Sequence, residues 1–205
     1  PVRDEAVIVL VGRFNPSIVQ PAWLELHGLL GSNEASGAEV TVIHPSLSQF
    51  RVGWLDIQVT EGRFRAATHD TGSALPLRDF VVGVLSLLEH TPVTSIGLNR
   101  IVAWQADSPN AWHNIGHTLV PKKTFAGLLE SPGTRSVTVE GKRSGSLARY
   151  LRVKIGPADD VSNGVAVDLN EHFQNDNAQD ATFARRVIEE NWDQAQRHFA
   201  SIYDG

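Results

Sequence analysis

The stretch "LDIQVTEGRFRAAT", residues 55–68, decides how the chain folds. In it Leu55, Ile57 and Val59 alternate with Asp56, Gln58 and Thr60. Successive side chains of a strand point to opposite faces, so a period of two means a sheet with one dry and one wet face. Such alternation belongs to antiparallel sheets, because parallel sheets are covered on both sides and read as unbroken apolar runs.

Outward from this stretch, "AVIVLVGRF" (6–14) reads as a buried strand ended by Asn15-Pro16. "EVTVIHP" and "SQFRVGW" read as strand material, one bent strand broken at Pro45. "VTSIGLNRIVAW" (93–104), "RSVTVEG", "RYLRVKIG" and "NGVAVDLNEHF" (163–173) add further strands. Helical spacing appears between them. Pro21 opens a short helix with Trp23, Leu26, Leu29 and Leu30 on one face. Residues 76–90 carry Leu77, Phe80, Val81, Val84, Leu85 and Leu88 at three- and four-residue spacing. "KKTFAGLLE" (122–130) predicts another helix, and a closing helix over 181–203 has an apolar stripe of Phe183, Ile188, Trp192, Ala195, Phe199 and Ile202. "GSNEASG" (31–37) reads as a turn, and "AWHNIGHTL" as a short helix or turn that Gly116 weakens. The expectation is an α+β fold: a mainly antiparallel sheet of about seven strands with helices packed on one face.

The first part reads β-α-β-β-α, and the part from Val93 repeats much of that order. "QPAWLELHGLL" (20–30) is echoed by "VPKKTFAGLL" (120–129), each with Pro at the start and Gly-Leu-Leu at the end. This describes two halves, 1–92 and 93–205, sharing one sheet in a single compact domain. An ancient duplication and a chance match in an α+β chain both account for the echo.

Composition narrows the function classes. With 205 residues, 41% of them hydrophobic and 20% charged, the chain can bury a core. The absence of Cys excludes disulfides, thiolate metal sites and cysteine nucleophiles. No charged start precedes an apolar run, and the longest apolar runs fall far short of the ~20 residues that span a bilayer, so the expectation is a cytoplasmic protein without a signal peptide or membrane anchor. The net charge of −5 is unevenly spread: residues 1–120 carry 7 basic and 11 acidic side chains, residues 121–156 carry 8 and 2, and residues 157–205 carry 3 and 10.

Chemistry-bearing clusters are few. His113 and His117 stand four apart, but no carboxylate lies between them and only loop Asp107 offers a third ligand. They are expected to be partly exposed histidines near a Trp-bearing turn, with no metal and no cofactor. "DLNEHFQNDNAQD" (168–180) is the densest polar cluster. Read as a calcium loop from Asp168, it puts Phe173 where glycine is required and Gln179 where glutamate is required. Glu171 and His172 are the best acid–base pair on offer, although adjacent strand residues face opposite ways. His113, His117, Glu171 and His172 therefore form the alternative polar site of a histidine-dependent hydrolase. No nucleophile elbow or phosphate loop occurs, so no catalytic residue is assigned. The basic segment offers Lys142, Arg143, Arg149, Arg152 and Lys154 as a binding surface, with Lys142 and Arg143 projecting from the flexible loop 141–146 toward an acidic partner.

"GRFNP" (12–16), "QFRVGW" (49–54), "GRF" (62–64) and "SIGLNRI" (95–101) together resemble a sporadically distributed family of uncharacterised bacterial proteins. The resemblance covers residues 6–104. It implies an α+β fold, no assigned enzyme activity, and genes that travel on mobile elements or accompany defence loci. No functional residue is carried over from it.

The leading expectation is a non-enzymatic protein that works by binding another protein or a second copy of itself. Nucleic-acid or anionic-ligand binding through the strands of 135–154 is the alternative, and the pI of about 5.9 counts against a dedicated nucleic-acid binder.

Overall fold

The computed structural model describes residues 1–144 and 148–203. Nine strands form one antiparallel sheet. In chain order they are β1 (Arg3–Gly12), β2 (Glu39–His44), β3 (Leu47–Val52), β4 (Leu55–Thr60), β5 (Arg63–Thr68), β6 (Val93–Gln105), β7 (Val137–Lys142), β8 (Ala148–Ala158) and β9 (Gly164–Gln174). The helices are α1 (Pro21–Leu26), α2 (Ser32–Ser36), α3 (Ala74–Leu87), α4 (Pro109–Leu119) and α5 (Thr182–Tyr203).

The sheet exceeds the expected seven strands because two stretches fold back on themselves. Residues 55–68 are a hairpin, β4 and β5 turning at Glu61-Gly62. The run taken as one bent strand is the β2–β3 hairpin, turning at Pro45-Ser46. In the β4–β5 hairpin the two-residue turn moves the core-facing positions from odd (Leu55, Ile57, Val59) to even (Phe64, Ala66), a change of phase that a reading of 55–68 as one run passes over. Gly53, at a φ of +49°, makes the turn from β3 to β4 that a side chain with Cβ would strain.

The strand order is β2-β3-β4-β5-β1-β6-β9-β8-β7. β1 and β6 pair at the centre, and each also pairs with the last strand of its own half, β5 or β9. Each half thus sends its chain outward from the centre and returns by a meander.

One face of the sheet is apolar. The register lines up Phe50, Ile57, Ala66, Ile8 and Leu98 across five strands, all in the core. α3 packs on β1 and β5, α5 packs on β6 and β9, and the two helices touch. The other face is polar and carries Glu5–Arg65, Arg51–Asp56 and Asn99–Asn170 pairs. Among the described residues no helix is long and apolar enough to cross a membrane.

Four helical expectations need correction, among them the turn read over 31–37, which holds the short helix α2. The first helix stops at Leu26, and the chain reverses through Gly28 at a φ of +72°. The stripe through Leu26 is therefore broken: Leu24 enters the core and Leu26 is 79% exposed. In place of a helix over 122–130 there is one 3-10 turn, Lys122–Phe125. Residues 109–119 form a regular helix in spite of Gly116, begun by Pro109 at its first turn and by Ser108, whose side chain accepts from the Ala111 amide at 3.1 Å.

Candidate binding groove beside α4

α4 is amphipathic, yet it contains no buried residue. Its apolar side faces a groove of about 430 Å3, floored by Ile155, Pro157 and Val165 at the ends of β8 and β9. The opposite wall is the segment 131–136. Ile115 and Leu119 are each 38% exposed there, while Trp112 is half-buried. The volume lies at the small end of ligand pockets, which run from roughly 300 to 1,000 Å3.

The walls are tied together from below. Lys122 donates to the carbonyls of Gly116 (3.0 Å) and Val120 (2.9 Å) and to the Thr134 hydroxyl. Thr134 in turn donates to the Gly116 carbonyl at 2.7 Å. Lys122 thus adds a further donor to the Gly116 carbonyl, which already accepts from the Val120 amide, and binds the Val120 carbonyl just beyond α4, where a cation also complements the helix dipole. At the other end, Trp112 Nε1 donates to the Gly164 carbonyl at 2.9 Å, which fixes the helix to the β8–β9 turn. A half-exposed apolar cleft held open by such bonds is preformed.

His113 and His117 line the same groove and are exposed. His113 packs edge-on against Trp112, with ring centres 4.9 Å apart. Among the described residues no three His, Asp or Glu side chains gather as a metal site.

The expected basic surface does not lie on one face. Lys142, Arg152 and Lys154 occupy even positions of paired strands and point to the open face. There Arg152 Nε donates to Glu140 Oε2 at 2.7 Å, and Tyr150 stacks on His172 with ring centres 4.6 Å apart. Burial pushes the Asp168 carboxyl above its usual range, against the opposing pull of Lys154 and Arg152.

Arg149 lies on the helix face, and Arg143 at the end of β7 joins it there. Arg149 Nε donates to Glu171 Oε1 at 2.6 Å, and Arg143 Nε stands 3.6 Å from the same oxygen. Glu171 is 0% exposed and its Oε2 lacks a hydrogen-bond partner. His198 of α5 completes the cluster, its Nδ1 3.8 Å from that oxygen and 2.5 Å from Arg143 Nη2. Burial first, and the Arg143 charge second, hold the His198 imidazole below its ordinary value, with Glu171 pulling the other way. Arg143 is therefore not a freely projecting side chain as expected. It is drawn inward because Glu171 is a buried carboxylate that requires cationic partners. Gly145 and Ser146 of the expected flexible loop lie outside the described residues.

The alternative polar residues stay apart. Glu171 faces the helices, His172 faces the open side, and His113 and His117 belong to the groove. Sequence reasoning missed Thr134, Ile155 and His198, and took Lys122 only as one of the charges of the basic segment. The pairing of Arg149 with Glu171 had a signal: residue parity already sets Arg149 against Arg152 and Lys154. The groove had none, since its floor and walls come from three separated stretches.

No family model matches the chain, and no curated protein matches it at a significant level.

Proposed function

We propose that this chain is a binding protein that seats an apolar segment of another protein in the groove beside α4. The observation that carries this reading is an amphipathic helix with no buried residue, tied at its end to the segment 131–136 by the Lys122–Thr134–Gly116 bonds. Apolar surface that remains half-open on a pinned scaffold marks a recognition site, because ordinary packing would have closed it. The reading is non-enzymatic. The central β1–β6 pair, with a similar meander on each side, supports a duplicated β-α-β-β-α ancestor in which the second copy gave up part of its helical cover.

The test is to pan a phage-displayed random peptide library on the purified protein and on a Leu119→Asp variant. Peptides should be enriched on the wild type and lost on the variant, with the circular dichroism and thermal midpoint retained. Equal recovery on both proteins overturns the reading. So does native mass spectrometry that finds a co-purified small molecule displaced by Leu119→Asp.

The open face supports a second reading. Lys142, Arg152 and Lys154 flank the Tyr150–His172 stack, an arrangement suited to an anionic ligand with a planar group. Glu140 already neutralises Arg152 there, which makes this the weaker surface.

A further inference from the structure

We propose that the partner segment is acidic: a stretch in which apolar side chains are flanked by Asp or Glu. The inference rests on the groove being a protein-binding site and adds the chemistry of its occupant. Arg135, His113 and His117 line the groove, and no carboxylate does. Lys122 is consumed by its three acceptors, so it contributes positive potential without a free donor direction. Lys123 and Arg135 are exposed, and among the described residues no carboxylate lies within ion-pairing distance of either. Glu130 and Glu140 are the nearest acids to Arg135 in sequence, and Glu140 is paired with Arg152.

The wider charge distribution agrees. Of the eight basic side chains of residues 121–156, Lys122 and Arg135 line the groove and Lys123 is next to Lys122 in the chain, in a protein of net charge −5. A cationic rim preserved on an acidic protein repels other basic surfaces and steers acidic ones. A second copy fits poorly, because a two-fold contact through this groove would set Arg135 and the histidines against themselves. The length of α4, eleven residues or about 16 Å, matches about five residues of extended chain.

Three synthetic peptides test the inference. They share the apolar residues of the panned peptides and differ only in flanking Glu, Gln or Lys. Binding is read by fluorescence anisotropy at low and high salt. The Glu peptide should bind several-fold more tightly than the Gln peptide, and the Lys peptide most weakly. Added salt should narrow the gap, and a Lys123→Glu/Arg135→Glu variant should reverse the order. Equal binding of all three overturns the acidic partner and leaves the groove reading standing. Binding by none of them overturns both. Peptide binding unchanged in Leu119→Asp places the seat elsewhere and overturns the inference. A light-scattering mass showing a dimer that Leu119→Asp dissociates makes the occupant a second copy, which also overturns it.

Discussion

The two halves of the sheet connect their first and second strands in different ways. In the first half the connection carries α1 and α2, and it lays Val19, Leu24 and Leu30 into the core. In the second half the connection carries α4 and a single 3-10 turn, and α4 contains no buried residue. The Gly-Leu-Leu echo makes the contrast concrete. Leu30 is buried, whereas Leu128 and Leu129 are exposed. The same three residues end in opposite environments because the first helix turns back through Gly28 onto the sheet and the second stretch does not. Similar sequence therefore closes the core in one half and leaves a cleft in the other.

The halves also differ beneath the helices. The core row Phe50, Ile57, Ala66, Ile8, Leu98 continues in the second half to Glu171. The largest expected effect comes from breaking this charge. Glu171→Gln leaves Arg149, only 11% exposed in its side chain, without its counter-ion. Removing one partner of a buried pair costs about 3–5 kcal/mol. A paired Glu171→Leu/Arg149→Met swap extends the apolar row of the first half and should recover most of that loss. Urea denaturation of both variants checks this. A swap as unstable as the single variant would show that the cluster holds β8 to α5 in a way apolar contact cannot replace.

The next comparison is direct. Leu24→Ala should cost about 2–5 kcal/mol, the range for a buried leucine, while Leu119→Ala should cost well under half of that. Equal losses in chemical denaturation would mean that α4 is closed against the sheet in solution and that the halves are alike after all. A smaller step concerns the tie between the groove walls. Lys122→Met removes the bonds to Gly116, Val120 and Thr134 but keeps the length of the side chain. It should cost about 1 kcal/mol and should raise amide exchange in residues 116–120 without changing exchange in α3. Unchanged exchange there would mean that the cleft is held open by something other than this lysine.

Much of this architecture could be read from the sequence. The alternation at Leu55, Ile57 and Val59 correctly indicates an antiparallel sheet with a single dry face, and the stripes at Leu77–Leu88 and Phe183–Phe199 find α3 and α5. What escaped was tertiary in origin. The alternation changes phase between Val59 and Phe64, and reading β4 and β5 as one run overlooks that shift at the Glu61-Gly62 turn. Gly116 lowers helix propensity by about 1 kcal/mol, which Ser108, Pro109 and the Lys122 cap outweigh in α4. The inward turn of Arg143 depends on a carboxylate 28 positions away in the chain, and no local pattern reports it.

The smallest effect tests whether the second half's polar cluster senses pH. His198 is held below its ordinary value in the folded protein, by burial first and by Arg143 next. The charged groups facing it are Arg143 at the end of β7, Arg149 on β8 and Glu171 on β9, with Arg197 adjacent on its own helix. Because the folded value is lower, the unfolded chain binds a proton first as pH falls through about 6.5. Stability therefore rises with pH across the window between the folded value and about 6.5, and it levels off below that window. Denaturation at steps from neutral to mildly acidic pH should show this fall, and His198→Gln should flatten it while leaving neutral-pH stability nearly unchanged. A slope that survives in His198→Gln would assign it to another group. A slope of opposite sign would mean that attraction to the Glu171 carboxylate outweighs burial and the Arg143 charge and holds the imidazolium of His198 protonated in the folded protein.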